Sequence, residues 1–289
     1  MNYLLRKLGI PCNSLETEKI ATNKYLMRCA MRDAGIDGPR FTLVEEDFKK
    51  EVLKDFEYPL IIKPVDLSSS RGVMKINSEA ELDDAIEYAL GWSKTKQAIL
   101  EEFIEGQEYS GESIAYDGKY KLLVITEKST TGAPHFVETG HKQPANLSPK
   151  LFEKVEKTLY CAFASMGIKY GAVHPEFRIT KEGRICFMEI GARMGGDCIG
   201  SDLVPISSGY DYMGMVISIG CGKEPNFEKI QEPKIARIKY IITKEDLQEF
   251  EKIKKEHPER IKRQSEIKDL SDAPILKSAD RAGYYITAE

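Results

Sequence analysis

Residues 170–197 read YGAVHPEFRITKEGRICFMEIGARMGGD, and no other stretch restricts the fold as much. Two apolar-rich runs, Ala172 to Ile179 and Ile185 to Ile190, flank Lys181-Glu182-Gly183-Arg184, which predicts a β-hairpin with a loop of about four residues. That loop sets Glu176 directly opposite Glu189. Facing side chains on an antiparallel pair lie about 5 Å apart, and like charges there destabilise unless something compensates them. A divalent cation is the simplest compensator, since Mg2+ commonly takes one or two protein carboxylates and completes its sphere with phosphate oxygens and water. The alternative is a surface hairpin with two solvated glutamates. Beyond Glu189 the chain supplies a cation, Arg193, followed by the flexible pair Gly195-Gly196.

The remainder of the chain narrows the choice. At 289 residues it can bury a large core and holds about two domains. With 42% apolar and 30% charged residues and a net charge of −4, it lacks the basic excess that nucleic acid or an anionic membrane favours. Cysteines at 12, 29, 161, 186, 198 and 221 form no C-x-x-C pair and no zinc spacing, so they read as reduced thiols of a cytoplasmic protein. No run approaches the roughly 18 apolar residues of a membrane-spanning helix.

Taken in order, Met1 to Pro11 is short for an independent element and reads like the exit from a strand or loop. A helix from Leu15 leads to Asn23, which can cap a second helix ending at Gly35, with Leu26, Ala30, Met31 and Ala34 as its apolar stripe. Lys24 then sits in the first turn, where a cation opposes the helix dipole and is better placed if it faces an anion. Tyr58 to Val65 predicts an apolar strand interrupted by Lys63, costly to bury unless paired. Asp66-Leu67-Ser68-Ser69-Ser70-Arg71-Gly72 follows as a small-residue turn into a strand over 73–76, a flap whose backbone N–H groups can cradle an anion. Ser78-Glu79-Ala80-Glu81 is a capping box before a helix with Leu82, Ala85, Ile86, Ala89 and Leu90 on one face. A strand, Ala98 to Phe103, passes into Ile104-Glu105-Gly106-Gln107-Glu108. Asp117-Gly118 turns a further hairpin. Thr130 to Leu147 is the one long irregular stretch, and it carries Glu138 and His141. A helix over 148–166 delivers the chain to the central hairpin; Ser201 to Gly220 reads as one buried helix, Lys244 to Lys268 as a solvated amphipathic helix, and Asp280 to Ile286 as a terminal strand.

Lys24, Lys63, the Ser-rich flap, Glu101-Glu102-Phe103-Ile104, Glu108, and Glu176/Glu189 followed by Arg193 occur in the order found in ATP-grasp enzymes. The resemblance covers roughly residues 9–225. Phe136-Val137-Glu138-Thr139-Gly140-His141, His174-Pro175-Glu176-Phe177-Arg178 and Glu189 to Asp197 make it similar to the amino-acid ligases, the carboxylate-amine branch of that superfamily. The resemblance implies an α+β ATP-grasp fold: an N-terminal lobe with the phosphate flap over 1–103, a second lobe with the metal hairpin over 104–225, and a small C-terminal unit over 226–289. It also implies ATP and Mg2+, with Mn2+ as the alternative ion.

Carried over by position, Lys24 and Lys63 bind ATP phosphates while Ser68, Ser69, Ser70, Arg71 and Gly72 close over them. Glu101, Glu102, Phe103 and Ile104 form the adenine segment, Glu102 and Ile104 acting mainly through their backbone, and Glu108 takes the ribose. Glu176 and Glu189 hold the metal. Arg193 engages the substrate carboxylate and the tetrahedral intermediate, Gly195 and Gly196 allow close backbone approach, and Glu138 and His141 face the amino-acid substrates. His174, two residues from Glu176 on the same strand face, orients that carboxylate, binds phosphate or satisfies a core hydrogen bond; the first two roles place it among the catalytic candidates with Arg193 and Lys63. The implied activity is an ATP-dependent ligase acting on small carboxylates and amines, with no nucleic acid or membrane partner; the alternative is a nucleotide-binding module without turnover. Two departures stand out. Gly191 occupies a position where many such enzymes carry a metal-coordinating Asn, and the chain starts where a preceding Rossmann-like domain would end, which implies a truncated form, a natural short form, or a homodimer or partner supplying that surface.

Overall fold

The computed structural model describes residues 2–68, 71–133, 136–271 and 273–289. Ser69, Ser70 and His135 lie outside them. Three helices open the chain: α1 (Asn2–Lys7), α2 (Leu15–Thr22) and α3 (Lys24–Asp33). Residues 1–11, expected to be a strand or loop exit, thus begin with a helical turn. Ser14 caps α2 and Asn23 caps α3, accepting from the Leu26 amide at 3.0 Å. The buried face of α3 is Lys24, Met27, Arg28 and Met31, whereas Leu26 and Ala34 of the expected stripe are exposed. The reason is electrostatic. Arg28 points inward to a carboxylate 73 residues away, and the helix rotates to serve it.

The next elements form the first layer: β1 (Phe41–Val44), β2 (Leu60–Pro64), β3 (Met74–Ile76), α4 (Leu82–Trp92) and β4 (Ala98–Glu102). The strands pair antiparallel in the order β1-β4-β2-β3. Alternation decides the two faces. Leu60, Ile62, Ile76, Ala98 and Leu100 pack on Leu82, Ala85 and Ala89 of α4, and Ile61, Lys63, Ile99 and Glu101 take the opposite face. Ser78 makes no side-chain cap; instead Glu81 accepts from the Asn77 amide at 2.9 Å.

The second sheet is larger. It comprises β5 (Gln107–Tyr116), β6 (Lys119–Thr130), β7 (Glu138–Gln143), β8 (Gly171–Ile179), β9 (Ile185–Gly191), β10 (Ala236–Ile241), β11 (Ile261–Gln264) and β12 (Gly283–Ala288). Their order is β11-β12-β10-β7-β6-β5-β8-β9, antiparallel throughout. Asp117 and Gly118 both have positive φ, 51° and 73°, as a type I′ turn requires. Helix α5 (Pro149–Ser165), capped by Ser148, buries Val155, Leu159 and Phe163 against Ile125, Phe177, Phe187 and Ile190 of one sheet face. Truncating a fully buried Phe such as Phe163 costs about 3–5 kcal/mol.

Four expectations change here. The stretch 130–147 is not wholly irregular: β7 runs through 138–143 as an interior strand. The helix expected over 201–220 is split by Gly209, at φ +79°, into α6 (Val204–Ser208) and α7 (Tyr212–Gly220). Helix α8 (Lys244–Glu256) stops short of the predicted end at 268, and β11 occupies part of the remainder. Residues 226–289 contribute β10, β11 and β12 to the same eight-stranded sheet.

Candidate active site

One face of the large sheet is committed to α5, so the other carries the polar side chains. The hairpin forms as the sequence dictates, with Glu176 opposite Glu189 and a bulge immediately after Glu176. Bulges of this kind re-aim side chains beside functional sites. The like charges are compensated by lysines: Lys128 Nζ lies 2.6 Å from Glu176 and Lys24 Nζ 3.1 Å from Glu189. Lys24 also donates to the Leu67 carbonyl at the start of the flap. Burial works against the Glu176 charge, but Lys128 and His174 hold its carboxyl well below the usual range.

Lys128 is the centre of this arrangement. Its side chain is 3% exposed and reaches Glu108 at 3.1 Å and Glu138 at 3.7 Å as well as Glu176. Burial opposes its charge, yet the three carboxylates raise its pKa above the ordinary lysine value. Glu108 is shared with Arg178, which also donates to the Ile104 carbonyl at 2.7 Å. Glu138 is shared with Arg281, at 2.8 Å. Arg281 in turn holds Asp197 at 2.9 Å and stacks 3.7 Å from the Tyr240 ring centroid.

A second row lies deeper. Glu112, fully buried on β5, pairs with His174 Nδ1 and accepts from the Gly195 amide at 3.1 Å, while His174 Nε2 faces Glu176 at 3.5 Å. Burial would lower the His174 pKa, but Glu112 and Glu176 push it up to about 9. His174 thus lies between Glu112 and Glu176. A Cβ at Gly195 would overlap Glu112 and lie 2.8 Å from His174 Nδ1. At Gly195 the close approach is to this buried dyad. Gly196 has open space around it, and Arg193 is exposed, with one bond to the Met194 carbonyl at 2.8 Å.

Across the cleft, Lys63 Nζ lies 2.6 Å from Glu101, and Arg28 Nε 2.6 Å from the same carboxylate. Burial pulls Lys63 below its ordinary range, with Glu101 opposing. Burial likewise opposes the Glu101 charge, but Arg28 and Lys63 outweigh it and keep the carboxyl low. The Glu101 carboxylate, expected to contact adenine, is paired here with these two cations. Glu102 turns to Arg40, accepting from its amide at 3.0 Å, and Phe103 lies under Lys75, 4.2 Å from the ring centroid. At the flap, the Ser68 carbonyl takes Arg71 Nε at 3.0 Å. Gly72 sits at φ +71°, where a Cβ would lie 2.7 Å from Pro64, so only glycine fits.

His141 departs from its expected role. It is 3% exposed, edge-on to Tyr240, and burial together with Lys128 brings its pKa down to about 3. It is a buried neutral ring beneath the surface that Glu138 presents. Lys128, Glu112, Arg28 and Arg281 were missed by sequence reasoning. Lys128 alone carried a local signal, since it shares a strand face with the inward Val124 and Thr126.

Among the described residues no group of three or more His, Cys, Asp or Glu is arranged to hold a metal by itself. Two facing carboxylates without a third protein ligand fit a hard cation that completes its sphere from phosphate and water, as Mg2+ does. Gly191, opposite His174 in register, adds no donor.

Comparisons with known proteins bear on the family and the fold. A family model described as an ATP-grasp domain matches residues 56–202. Alanine–anticapsin ligase of Bacillus subtilis is 29% identical over 249 residues, covering 77% of this chain and 52% of that protein. D-alanine–D-alanine ligase of Flavobacterium johnsoniae is 34% identical over 136 residues, covering 45% of this chain and 41% of that protein. The chain spans about half the length of the curated relatives it matches. The crystal structure of an L-amino acid ligase from Bacillus licheniformis superposes with a TM-score of 0.78 at 23% identity, covering 98% of this chain and 71% of that one, a likeness of fold alone. No helix among the described residues is long and apolar enough to cross a membrane.

Proposed function

This chain belongs to the ATP-grasp family, and from that premise we propose that it carries the nucleotide and metal site of an ADP-forming carboxylate-amine ligase. The substrates would be an amino acid or similar small carboxylate and an amine. The observation that carries the reading is the Glu176–Glu189 pair, facing carboxylates each held by a lysine.

A carboxylate is a poor electrophile. Attack of its oxygen on the γ-phosphorus of ATP forms an acyl phosphate and releases ADP; the amine then attacks the acyl carbon, phosphate leaves, and the nitrogen gives up a proton. Both steps crowd anions together, so the protein's task is positioning and charge neutralisation. Mg2+, held by Glu176 and Glu189, would neutralise phosphate oxygens as the first bond forms. Lys63 and Lys24 bind phosphates, exchanging Glu101 and Glu189 for them. Glu108 takes ribose hydroxyls. The flap over 68–72 shuts out the water that would hydrolyse an acyl phosphate. Arg193 engages the substrate carboxylate, and Glu138 the ammonium group of an amino acid.

Titration calorimetry with a non-hydrolysable ATP analogue, with and without Mg2+, tests the site, and ADP release across an amino-acid panel tests the chemistry. Metal-dependent binding and substrate-stimulated ADP release are expected. Absence of nucleotide binding would sink the reading. A second reading, nucleotide binding without independent turnover, predicts binding without stimulated ADP release.

A further inference from the structure

Beside the 102–104 segment that joins the two sheets is a cavity of about 680 Å³, within the range of about 300–1,000 Å³ common for small-molecule sites. It lies between α3, the 36–41 segment, residues 52–56 and β9, and none of the residues assigned above to nucleotide, metal or substrate lines it. Its apolar wall is Met31, Ile36, Phe41, Val52, Phe56 and Phe187.

Its charged groups are unequal. Asp37 is taken by Arg184 at 2.9 and 3.0 Å, Arg32 by Asp33 at 2.9 Å, and Arg40 by the Asp55 carbonyl and Glu102. Arg28 differs. It is 4% exposed, its Nη2 reaches the Met188 carbonyl at 3.1 Å, and its Nη1 is buried without a hydrogen-bond partner. A buried donor of a charged group left unpaired is costly, and an acceptor arriving in the cavity would relieve that cost.

We propose that this cavity binds a small organic anion, with a carboxylate, sulfonate or phosphate on an apolar or aromatic body. The acid accepts from Arg28, and the body lies on Met31, Ile36, Phe41 and Phe56. The site is coupled to the nucleotide. Glu101 divides itself between Arg28 and Lys63. An anion accepting from Nη1 shares the guanidinium charge with Glu101, which is held through Nε and Nη2; Glu101 then draws more on Lys63 and withholds that lysine from phosphate. The coupling is therefore negative and reciprocal. It rests on the nucleotide reading above, whereas the cavity site does not.

The test is a fluorescence titration of the whole chain with 8-anilino-1-naphthalenesulfonate, an aromatic sulfonate, with 4-phenylbutyrate as competitor. Saturable one-site binding, displaced by the competitor, is expected. Arg28→Lys should weaken it; Val52→Trp, at a position 51% exposed, fills the cavity while leaving the fold and Arg28 intact, and should weaken it at least about tenfold. Saturating probe should lower affinity for a non-hydrolysable ATP analogue about fivefold or more. Unsaturable binding, or binding that Val52→Trp leaves unchanged, overturns the site. An analogue whose affinity ignores the probe overturns the coupling. An analogue that does not bind at all overturns the nucleotide reading and the coupling with it, while the Val52→Trp comparison still decides the site.

Discussion

Two buried ionic clusters face the same cleft with opposite excess. On the small sheet one carboxylate, Glu101, lies between two cations, Arg28 and Lys63. On the large sheet one cation, Lys128, lies among three carboxylates, Glu108, Glu138 and Glu176. A buried cluster whose charges do not cancel is incomplete, because desolvation is repaid only when each ion is paired. The first cluster is short of an anion; in the second, Arg178, Arg281 and His174 also pair with the carboxylates, and with Glu112 and Asp197 counted five carboxylates meet four cations, one short. Phosphate would complete one, and a metal ion or an ammonium group the other, so the asymmetry between the sheets says which end of a nucleotide–metal complex each receives.

The comparison is broken most directly at Lys128. Replacing it with Met leaves three half-buried carboxylates short of a shared partner and should cost about 3 kcal/mol. That corresponds to a fall in thermal midpoint on the order of 10 °C, read by calorimetry. Lys63→Met should cost much less, since Arg28 still holds Glu101. Equal losses in the two variants would mean that the clusters do not differ as described. Next in size, Glu189→Gln keeps the shape of the hairpin but removes a metal oxygen. Metal-dependent ADP release should drop at least about a hundredfold with an unchanged circular dichroism spectrum, and undiminished turnover would refute the metal assignment. Lys63→Met should weaken binding of a non-hydrolysable ATP analogue about tenfold by calorimetry; unaltered affinity would remove the lysine from the phosphate site.

The smallest effect sharpens the comparison through pH. His141 is surrounded by Lys128, Arg281, Asp197 and Glu176, and it titrates at about 3 when folded against an ordinary value of 6.5. Between those values the unfolded chain binds a proton that the folded chain refuses. Stability therefore falls as pH drops from about 6.5 toward 3, and this group contributes no slope above that window. His141→Asn should lose that component, on the order of 1 kcal/mol per pH unit, in urea midpoints measured at about pH 7, 6 and 5. Identical slopes in the two proteins would show that the ring is not held neutral.

How much of this was legible depended on how far each interaction reaches along the chain. The hairpin at 171–191 and its facing glutamates follow from alternation and a short polar loop, both local. The strand carrying Lys63 and the α5 stripe are local too. Strand β7 was hidden because Glu-Thr-Gly-His-Lys-Gln shows no apolar alternation; it is interior since its polar groups are met by Lys128, Arg281 and Thr126. The face of α3 was misassigned because Arg28 is turned inward by Glu101, across 73 residues of sequence. Glu112 looked unremarkable on β5, and only His174, 62 residues away, explains it. Sequence periodicity reports burial of apolar groups, and it is silent where burial is driven by ion pairing.

The two glycines after Arg193 have different consequences for redesign. Any side chain at 195 would meet Glu112 and His174, so variation there disturbs the orientation of Glu176 before it alters what the loop contacts. A side chain at 196 meets nothing within 4 Å. Libraries aimed at changing which small molecule the loop accepts should therefore randomise 196 and hold 195 fixed. Diversity spent on 195 would return mostly inactive clones, whatever substrate is offered.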